Sequence, residues 1–366
     1  MDHLKDIIRE FDFEGYFVNG HPIQNGHIND TYKLNFSCEH ESRKSYILQK
    51  INTSVFRDPL GLMHNIHEVS NYLRPKLEDK ERTLQIVRTK NHNLFLDGKN
   101  DGCWRAFEFI DNTVSYEKVT STEQMYKAGL AIAKFHHLLA DYPVDNLKIT
   151  IKDFHNTKWI YDQFMVDLQR DKSGKSAEVF KESSFFEKRQ KYFGVYESLK
   201  EEGKLPIRIC HNDTKFNNIL FDKKTEEPVA LIDLDTVMPG FVLNDFGDAI
   251  RTGANTATED EKELDRVQFN LSFYESFTKG YLTKAKNFLC QEELNWLAYS
   301  PYIITMEQGI RFLHDHLNGD IYFKTSRKNH NLERARNQIK LAEEMELQLV
   351  RMNELVVQYS SSPLRE

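Results

Sequence analysis

The chain is poor in cysteine, has no excess of positive charge and contains no long apolar run. Its four cysteines, Cys38, Cys103, Cys210 and Cys290, are far apart and form no CxxC pair, so neither a disulfide framework nor a cysteine zinc site is expected. The net charge is −7 and charges of both signs are mixed along the chain, which argues against a nucleic-acid partner. No apolar run approaches the roughly 18 residues that a membrane-spanning helix requires.

Internal repeats, linkers rich in Gly, Ser or Pro, and the basic and apolar regions of a signal peptide are also missing. With the scattered cysteines, these absences lead us to expect a cytoplasmic protein that needs no membrane and no obligate protein partner. Aromatic residues are abundant: the 366 residues include 25 Phe and 16 Tyr, and 40% of the chain is hydrophobic. This composition supports a sizeable core and excludes a disordered chain.

The hydrophobic pattern changes its period about one third of the way along the chain. Alternating residues predict a strand around Tyr32–Phe36, and further strands are predicted at 45–51, 83–89, 93–96 and 103–110. Apolar residues three and four apart predict one helix within 61–77. Helical patterns then dominate to the end, where 332–356 has one apolar stripe. We therefore expect an α+β protein with a small strand-rich lobe, residues 1–110, and a larger helical lobe, residues 111–366.

Polar side chains of one segment follow directly on short apolar strands predicted at 207–210, 219–221 and 229–232. The first strand leads to His211, Asp213 and Asn218, and a hydrophobic hairpin leads to Asp233 and Asp235. Carboxylate and amide oxygens are the ligands that Mg²⁺ prefers. Asp213, which comes before the other carboxylates, could accept a proton from a hydroxyl group.

The spacing His-x-Asp-x4-Asn, followed by a strand pair and Ile-Asp, is similar to the catalytic and metal loops of the protein-kinase-like fold. This version of the motif resembles the aminoglycoside/choline phosphotransferase family. By that resemblance Asp213 matches the catalytic base, while Asn218 and Asp233 match the ligands of Mg²⁺. Asp235 would assist the metal, and Lys215 would lie near the transferred phosphate. His211 would support the loop by hydrogen bonding.

The resemblance implies that the first lobe binds ATP. The segment from Gly26 to Tyr32 would be the turn that covers the phosphates, although it lacks the GxGxxG pattern. Glu68, in the predicted helix, matches the glutamate that pairs with the lysine of strand three. The position of that lysine could be Gln49 or Lys50, which face opposite sides of the strand. Of the two, Lys50 is favoured for this position because its side chain is charged.

Further motifs are similar to the bacterial N-acetylhexosamine 1-kinases, a branch of that family. They are Gly-His-Ile-Asn at 26–29, Tyr-Ile-Leu-Gln at 46–49, Asp-Leu-Asp-Thr-Val-Met-Pro-Gly at 233–240, Asn-Asp-Phe-Gly-Asp at 244–248, and stretches at 306–313 and 319–323. Those enzymes phosphorylate the anomeric hydroxyl of GlcNAc or GalNAc with ATP and Mg²⁺. The matching positions make His27, Arg311 and Tyr322 candidate contacts of a sugar substrate.

Two alternatives remain open at this point. The chain could be a kinase of another hydroxyl compound, such as an aminoglycoside, choline or homoserine. A site for a polycationic aminoglycoside would need a strongly acidic rim. Asp245 and Asp248 alone are too few acidic residues to form one. The chain could also be a pseudokinase that holds nucleotide, but the retained set of Asp213, Asn218 and Asp233 argues against that.

Overall fold

The structure of the chain, a computed structural model, describes residues 2–23, 28–39, 43–98 and 101–361. Its contacts divide it into two compact units, each assembled from several stretches of chain. The first unit comprises Met1–Val114, Pro143–Lys152 and Leu220–Met238, and the second comprises Ser115–Tyr142, Asp153–Ile219 and Pro239–Glu366. The division of the chain at residue 110 stays a prediction.

The main element of the first unit is an antiparallel sheet of six strands. Its strands are β1 (Tyr16–Ile23), β2 (Asp30–Ser37), β3 (Arg43–Ile51), β4 (Ile86–Val87), β5 (Leu96–Asp97) and β6 (Cys103–Glu108). They lie in the order β1-β2-β3-β6-β4, and β5 also pairs with β6. The alternation predicted for Tyr32–Phe36 is seen in β2, where Leu34 and Phe36 are buried and Tyr32 is half-buried. In β3, Tyr46 and Leu48 are buried in the same alternating way.

The predicted strands 83–89 and 93–96 are wrong in length. The chain leaves the sheet after Val87, and the N–H of Thr89 then donates to the carbonyl of Asn93 at 3.0 Å. The hydroxyl of Thr89 accepts the N–H of Asn93 at the same distance. This turn replaces the ladder hydrogen bonds that longer strands would need.

Two helices complete the first unit: α1 (Asp2–Arg9) and α2 (Pro59–Leu73). Asp58 caps α2 by accepting the N–H of Gly61 at 2.9 Å. The helix was predicted within 61–77, but it ends at Leu73 because Pro75 has no N–H to continue the hydrogen-bond ladder. Residues of α1, β2, β3 and β6 form one core cluster, which includes Leu4, Ile7, Leu34, Phe36, Tyr46, Leu48, Trp104 and Ala106.

The predicted strands around the polar segment are confirmed to within one residue. They are β8 (Arg208–Cys210), β9 (Ile219–Asp222) and β10 (Pro228–Leu231). Strand β9 lies between β10 and β7 (Thr113–Val114), and β8 pairs with β11 (Met238–Gly240). Short strands thus deliver both polar loops.

The second unit is helical. Its helices are α3 (Thr122–Leu139), α4 (Thr157–Arg170), α5 (Phe180–Glu187), α6 (Val195–Glu201), α7 (Val242–Gly253), α8 (Leu271–Ala285), α9 (Gln291–Leu297), α10 (Ser300–Leu317), α11 (His330–Glu346) and α12 (Leu349–Ser361). Ser121 caps α3, since its hydroxyl accepts the N–H of Gln124 at 3.2 Å. Within the described residues, no helix has the length and apolar character needed to cross a membrane.

Glycines allow α3 and α8 to pack closely. A Cβ atom at Gly129 would lie 2.8 Å from the backbone nitrogen of Tyr281, and one at Gly280 would overlap the carbonyl of Tyr126. Any larger residue at these two positions would force the helices apart.

The single stripe predicted over 332–356 is wrong, because two helices, α11 and α12, share it. At the break, the N–H of Gln348 donates to the carbonyl of Met345 at 2.9 Å, which is a tighter turn than an α-helix makes. Glu346, at the end of α11, accepts a hydrogen bond from Tyr302 at 3.0 Å. Met352, in α12, accepts one from Tyr274 at 3.2 Å. The two helices are thus anchored separately, which the period of a sequence does not reveal.

Candidate active site

The loop that follows β8 is held by a buried carboxylate on α7. Asp245, which is 0% exposed, accepts the backbone N–H groups of His211 at 2.8 Å and Asn212 at 2.6 Å. His136 lies 2.7 Å from the same carboxylate. Burial alone raises the pKa of Asp245, but the hydrogen bond and charge of His136 outweigh it, and the pKa is lowered. Asp245 therefore fixes the loop as a buried anion and does not form an acidic rim.

The loop presents Asp213 as an ionised carboxylate. Lys215 Nζ lies 3.1 Å from its Oδ1. Burial raises the pKa of Asp213, but the positive charge and hydrogen bond of Lys215, together with the neighbouring His211, outweigh burial, and the pKa is lowered. Asn218 donates from Nδ2 to the main-chain oxygen of Asp213 at 2.8 Å, which leaves the amide oxygen of Asn218 for a cation. Sequence and structure agree that Asp213, Lys215 and Asn218 lie together.

Asp233 and Asp235 lie in the first unit and differ in environment. Asp233 is exposed and adopts a left-handed backbone conformation with φ of 58°. A residue other than glycine pays for this conformation, and such strain is frequent at functional sites. Asp235 is 5% exposed, and its carboxylate binds Arg105, with Nη1 2.6 Å from Oδ1, and Nδ2 of Asn29 at 2.7 Å. Asp233 is therefore the more accessible of the two carboxylates.

The register of β3 shows where each of the two candidates for the ATP-binding position lies. Gln49 pairs with Arg105 across the sheet, and its Oε1 accepts the Nε–H of Arg105 at 3.0 Å. Lys50 pairs with Trp104, and its Nζ lies 5.8 Å from the centre of the indole ring. Gln49 therefore shares the side of Arg105 and Asp235, and Lys50 is not brought to them. Glu68 lies in α2, as predicted.

The residues expected at the sugar fall in different places. His27 lies outside the described residues. Arg311, on α10, has its Nε 3.3 Å from Oε1 of Glu307, and its guanidinium lies over the ring of Phe154 at 4.7 Å. Tyr322 is 55% exposed and packs edge-on against Phe323.

The loop that carries Tyr322 is held by a carboxylate of α10. Asp315 accepts the backbone N–H groups of Ile321, Tyr322 and Phe323 at distances of 3.0, 2.8 and 3.0 Å. Asn331 also donates to Asp315, at 2.9 Å. The position of Tyr322 is thus set by backbone hydrogen bonds rather than by burial of its ring.

Sequence reasoning missed the residues that hold the functional loops. Arg105 lies 130 residues from Asp235, and Glu307 lies 152 residues from His155. Asp315 lies six to eight residues from the N–H groups that it accepts, but no spacing marks it as the residue that holds that loop. A sequence signal that could have drawn attention to Glu307 is its charge within the largely apolar helix α10, where the side chain is only 1% exposed.

The oxygen atoms of Asn218 and Asp233 are ligands that a hard cation accepts. Within the residues that the structure describes, no three His, Cys, Asp or Glu side chains cluster closely enough to hold a metal ion. Asn218 and Asp233 offer one amide oxygen and one carboxylate. Mg²⁺ commonly binds one or two such protein groups together with water and the phosphates of a nucleotide. Asn218 in the second unit and Asp233 in the first are thus each, taken singly, the kind of ligand that magnesium accepts when it is bound with a nucleotide.

A sequence profile of the phosphotransferase enzyme family (APH) matches residues 19–280. The chain belongs to this family. Solved structures support the protein-kinase-like fold over nearly the whole length. The structure of a microcompartment-associated aminopropanol kinase matches with a TM-score of 0.59 and 13% identity, covering 96% of this chain and 98% of that chain.

Two further solved structures are similar to this chain. A spectinomycin phosphotransferase in complex with ADP and spectinomycin has a TM-score of 0.61 and 14% identity, covering 94% of this chain and 98% of that chain. A choline kinase from Cryptosporidium parvum Iowa II has a TM-score of 0.57 and 15% identity, covering 98% of each chain. At sequence identities this low, the structural similarity shows a shared fold and not a shared substrate.

Proposed function

We propose that this phosphotransferase is an ATP-dependent kinase that phosphorylates the anomeric hydroxyl of an N-acetylhexosamine, GlcNAc or GalNAc, to give the sugar 1-phosphate. The observation that carries the choice of acceptor is the environment of Arg311. Its Nε pairs with Glu307, and among the described residues no protein oxygen accepts from its two Nη groups. Such a fork of donors suits the hydroxyl and amide oxygens of an N-acetyl sugar.

The same environment argues against a cationic acceptor. In this cluster a single carboxylate, that of Glu307, is shared by Arg311 and the imidazole of His155. The cluster therefore keeps a net positive charge, which repels an ammonium group. Asp245 is buried, and Asp248 accepts two hydrogen bonds from Arg251, at 3.0 and 2.8 Å. These aspartates cannot supply the acidic rim that choline or an aminoglycoside would need.

The chemistry assigned to the loop follows from its charges. Asp213 orients the acceptor hydroxyl and takes its proton as the phosphoryl group arrives. An anomeric hydroxyl is more acidic than an ordinary alcohol, so a carboxylate of low pKa suffices as the base. Lys215 offsets negative charge on the transferred group. Asn218 and Asp233 are the proposed ligands of Mg²⁺, which would neutralise phosphate charge when bound with ATP.

The nucleotide half of the proposal rests on the first unit. Arg105 is a fixed cation on the side of β3 that carries Gln49, and Asp235 holds it there. We include Lys50 and Glu68 as the remaining proposed ATP contacts, and His27 and Tyr322 as the remaining proposed sugar contacts. Their roles come from the sequence resemblance.

An acceptor screen tests the proposal. ADP release would be measured with GlcNAc, GalNAc, glucose, choline, homoserine and kanamycin, with the Asp213→Asn variant as the background. We expect kcat/KM for an N-acetylhexosamine to exceed that for choline or kanamycin at least about 100-fold, because polar recognition rejects ligands that leave its groups unpaired. Preference for a cationic acceptor would overturn the sugar assignment. If none of the tested acceptors caused ADP release, the assignment as a kinase of these compounds would be overturned.

A further inference from the structure

A chain of polar contacts joins the proposed sugar-binding arginine to the catalytic loop within the second unit. Oε1 of Glu307 lies 3.3 Å from Nε of Arg311 and 2.8 Å from Nδ1 of His155. Nε2 of His155 lies 3.1 Å from the main-chain oxygen of Asn212, the residue before Asp213. Thr157 donates to the other oxygen of Glu307 at 2.8 Å.

The partners of His155 determine its charge. A carbonyl oxygen can only accept, so Nε2 must carry a proton to bond with Asn212. Burial raises the pKa of Glu307, but the His155 ring, the charge of Arg311 and the hydroxyl of Thr157 together outweigh burial, and the pKa is lowered. A carboxylate held ionised in this way can only accept, so Nδ1 of His155, 2.8 Å from Oε1, also carries a proton. His155 is therefore an imidazolium that donates from both ring nitrogens.

The peptide that His155 holds is conformationally demanding. Asn212 has a φ of 62°, in the left-handed region, and its side chain is 4% exposed. The N–H of Asn212 is held by Asp245 and its carbonyl by His155, so the peptide groups on both sides of this residue are fixed. A residue in a left-handed conformation persists only where its surroundings hold it, and Asp213 follows directly.

We propose that Glu307 and His155 couple acceptor binding to the catalytic loop: one carboxylate positions Arg311 for the acceptor and, through His155, positions the peptide that precedes Asp213. This inference rests on the proposed function, because it takes Arg311 as an acceptor contact. His155 and Glu307 are positioning residues, since they act through Asn212 and Arg311. The arrangement makes the loop and the acceptor-binding side chain depend on one shared charge.

Kinetics of a mutant cycle test the coupling. His155→Ala should lower kcat by on the order of 10-fold to 100-fold, because a small displacement of a reacting group is costly. Arg311→Ala should mainly raise the acceptor KM. In the double variant, the change in kcat/KM should depart from the product of the two single changes by at least about threefold, since contacting groups are not additive.

The cycle is repeated in the Glu307→Gln background, which keeps the shape of the side chain and the bond from Thr157. There the two changes should simply multiply, because the shared charge is gone. Multiplicative effects in both backgrounds, or a His155→Ala variant whose kcat stays within about twofold of wild type, would overturn the proposal. His314→Ala is the matched control. His314 lies on α10, the helix of Glu307 and Arg311, and makes a similar histidine–carboxylate pair with Asp167 of α4, at 2.8 Å. Its kcat should be unchanged.

A measurement without turnover separates this inference from the proposed function. Nitrogen-15 NMR of the histidine rings, with the His155 signal identified by its loss in His155→Gln, should show both nitrogens protonated near neutral pH. In Glu307→Gln only one should be protonated. A neutral His155 in the wild type would overturn the inference even if the sugar is phosphorylated. A failed acceptor screen with a doubly protonated His155 would instead overturn the role given to Arg311.

Discussion

Arg105 and Asp235 form a buried ion pair within the first unit. Nη1 of Arg105 lies 2.6 Å from Oδ1, and Nη2 donates to Oδ2 at 2.8 Å, with 1% and 6% of the two side chains exposed. Asn29 donates to the same carboxylate. The family resemblance implies that Asp235 assists the metal, and that role stays a prediction. The contacts favour a different one, in which Asp235 anchors Arg105.

The first prediction separates these two roles of Asp235. Asp235→Asn leaves the buried guanidinium of Arg105 without its counter-ion, so we expect the free energy of unfolding to fall by roughly 3–5 kcal/mol. The Mg²⁺ concentration for half-maximal turnover should stay unchanged. Denaturant unfolding and a Mg²⁺ titration measure the two quantities.

The control for this comparison is Asp162→Asn, which breaks an exposed pair with Lys158. That change should cost about 0–1 kcal/mol. An Asp235→Asn variant of full stability but altered Mg²⁺ dependence would make Asp235 a metal ligand instead of an anchor.

The second prediction concerns the base. Asp213→Asn keeps the shape and most hydrogen bonds of the side chain but removes its basicity. We expect turnover to fall by about 10²–10⁴-fold, the usual contribution of a general base, while ATP still binds. An ADP-release assay measures the turnover, and isothermal titration calorimetry measures the binding of ATP. More than about a tenth of wild-type turnover would contradict the role of Asp213.

The third prediction uses the left-handed backbone at Asp233. Glycine adopts a positive φ without steric cost, so Asp233→Gly removes the carboxylate and relieves the strain together. We expect a protein at least as stable as wild type that has lost its Mg²⁺-dependent turnover. Asp233→Ala should lose the same turnover without the gain in stability. Turnover that survives in both variants would mean that Asp233 serves only the turn.

The fourth prediction follows from the titration of His155. Glu307 and Arg311 on α10 and the carbonyl of Asn212 face this imidazole. Burial lowers the pKa of His155, but the charge and hydrogen bond of Glu307 outweigh it, and the pKa is raised. The folded protein thus binds this proton more tightly than the unfolded chain does. The stabilisation is complete below the unfolded pKa of about 6.5 and is lost as the pH rises through the folded pKa.

Melting temperatures of the wild type and His155→Gln, measured from pH 6 to pH 9, test the sign of this effect. The difference between the two proteins should be largest at the acid end and should shrink as the pH rises. A difference that grows with pH would show that His155 is buried as a neutral ring.

Local spacing was enough to predict the strands around the polar segment and the grouping of Asp213, Lys215 and Asn218, because all three lie in one loop. The side of β3 that faces Asp235 could not be predicted, since it depends on the pairing of Gln49 with Arg105, 56 residues away. The link from Glu307 to Asn212 likewise joins residues brought together only by the fold. Long-range polar contacts carry no periodicity, and so the supporting residues of the site appeared only in the structure.

The most direct test of the central claim compares a free sugar with its methyl glycoside. The account predicts that GlcNAc or GalNAc releases ADP and yields a sugar 1-phosphate by phosphorus NMR. The corresponding methyl glycoside, whose anomeric oxygen has no proton to give to Asp213, should release no ADP above the acceptor-free rate. Full turnover of the methyl glycoside would show that another hydroxyl is phosphorylated and would contradict the account.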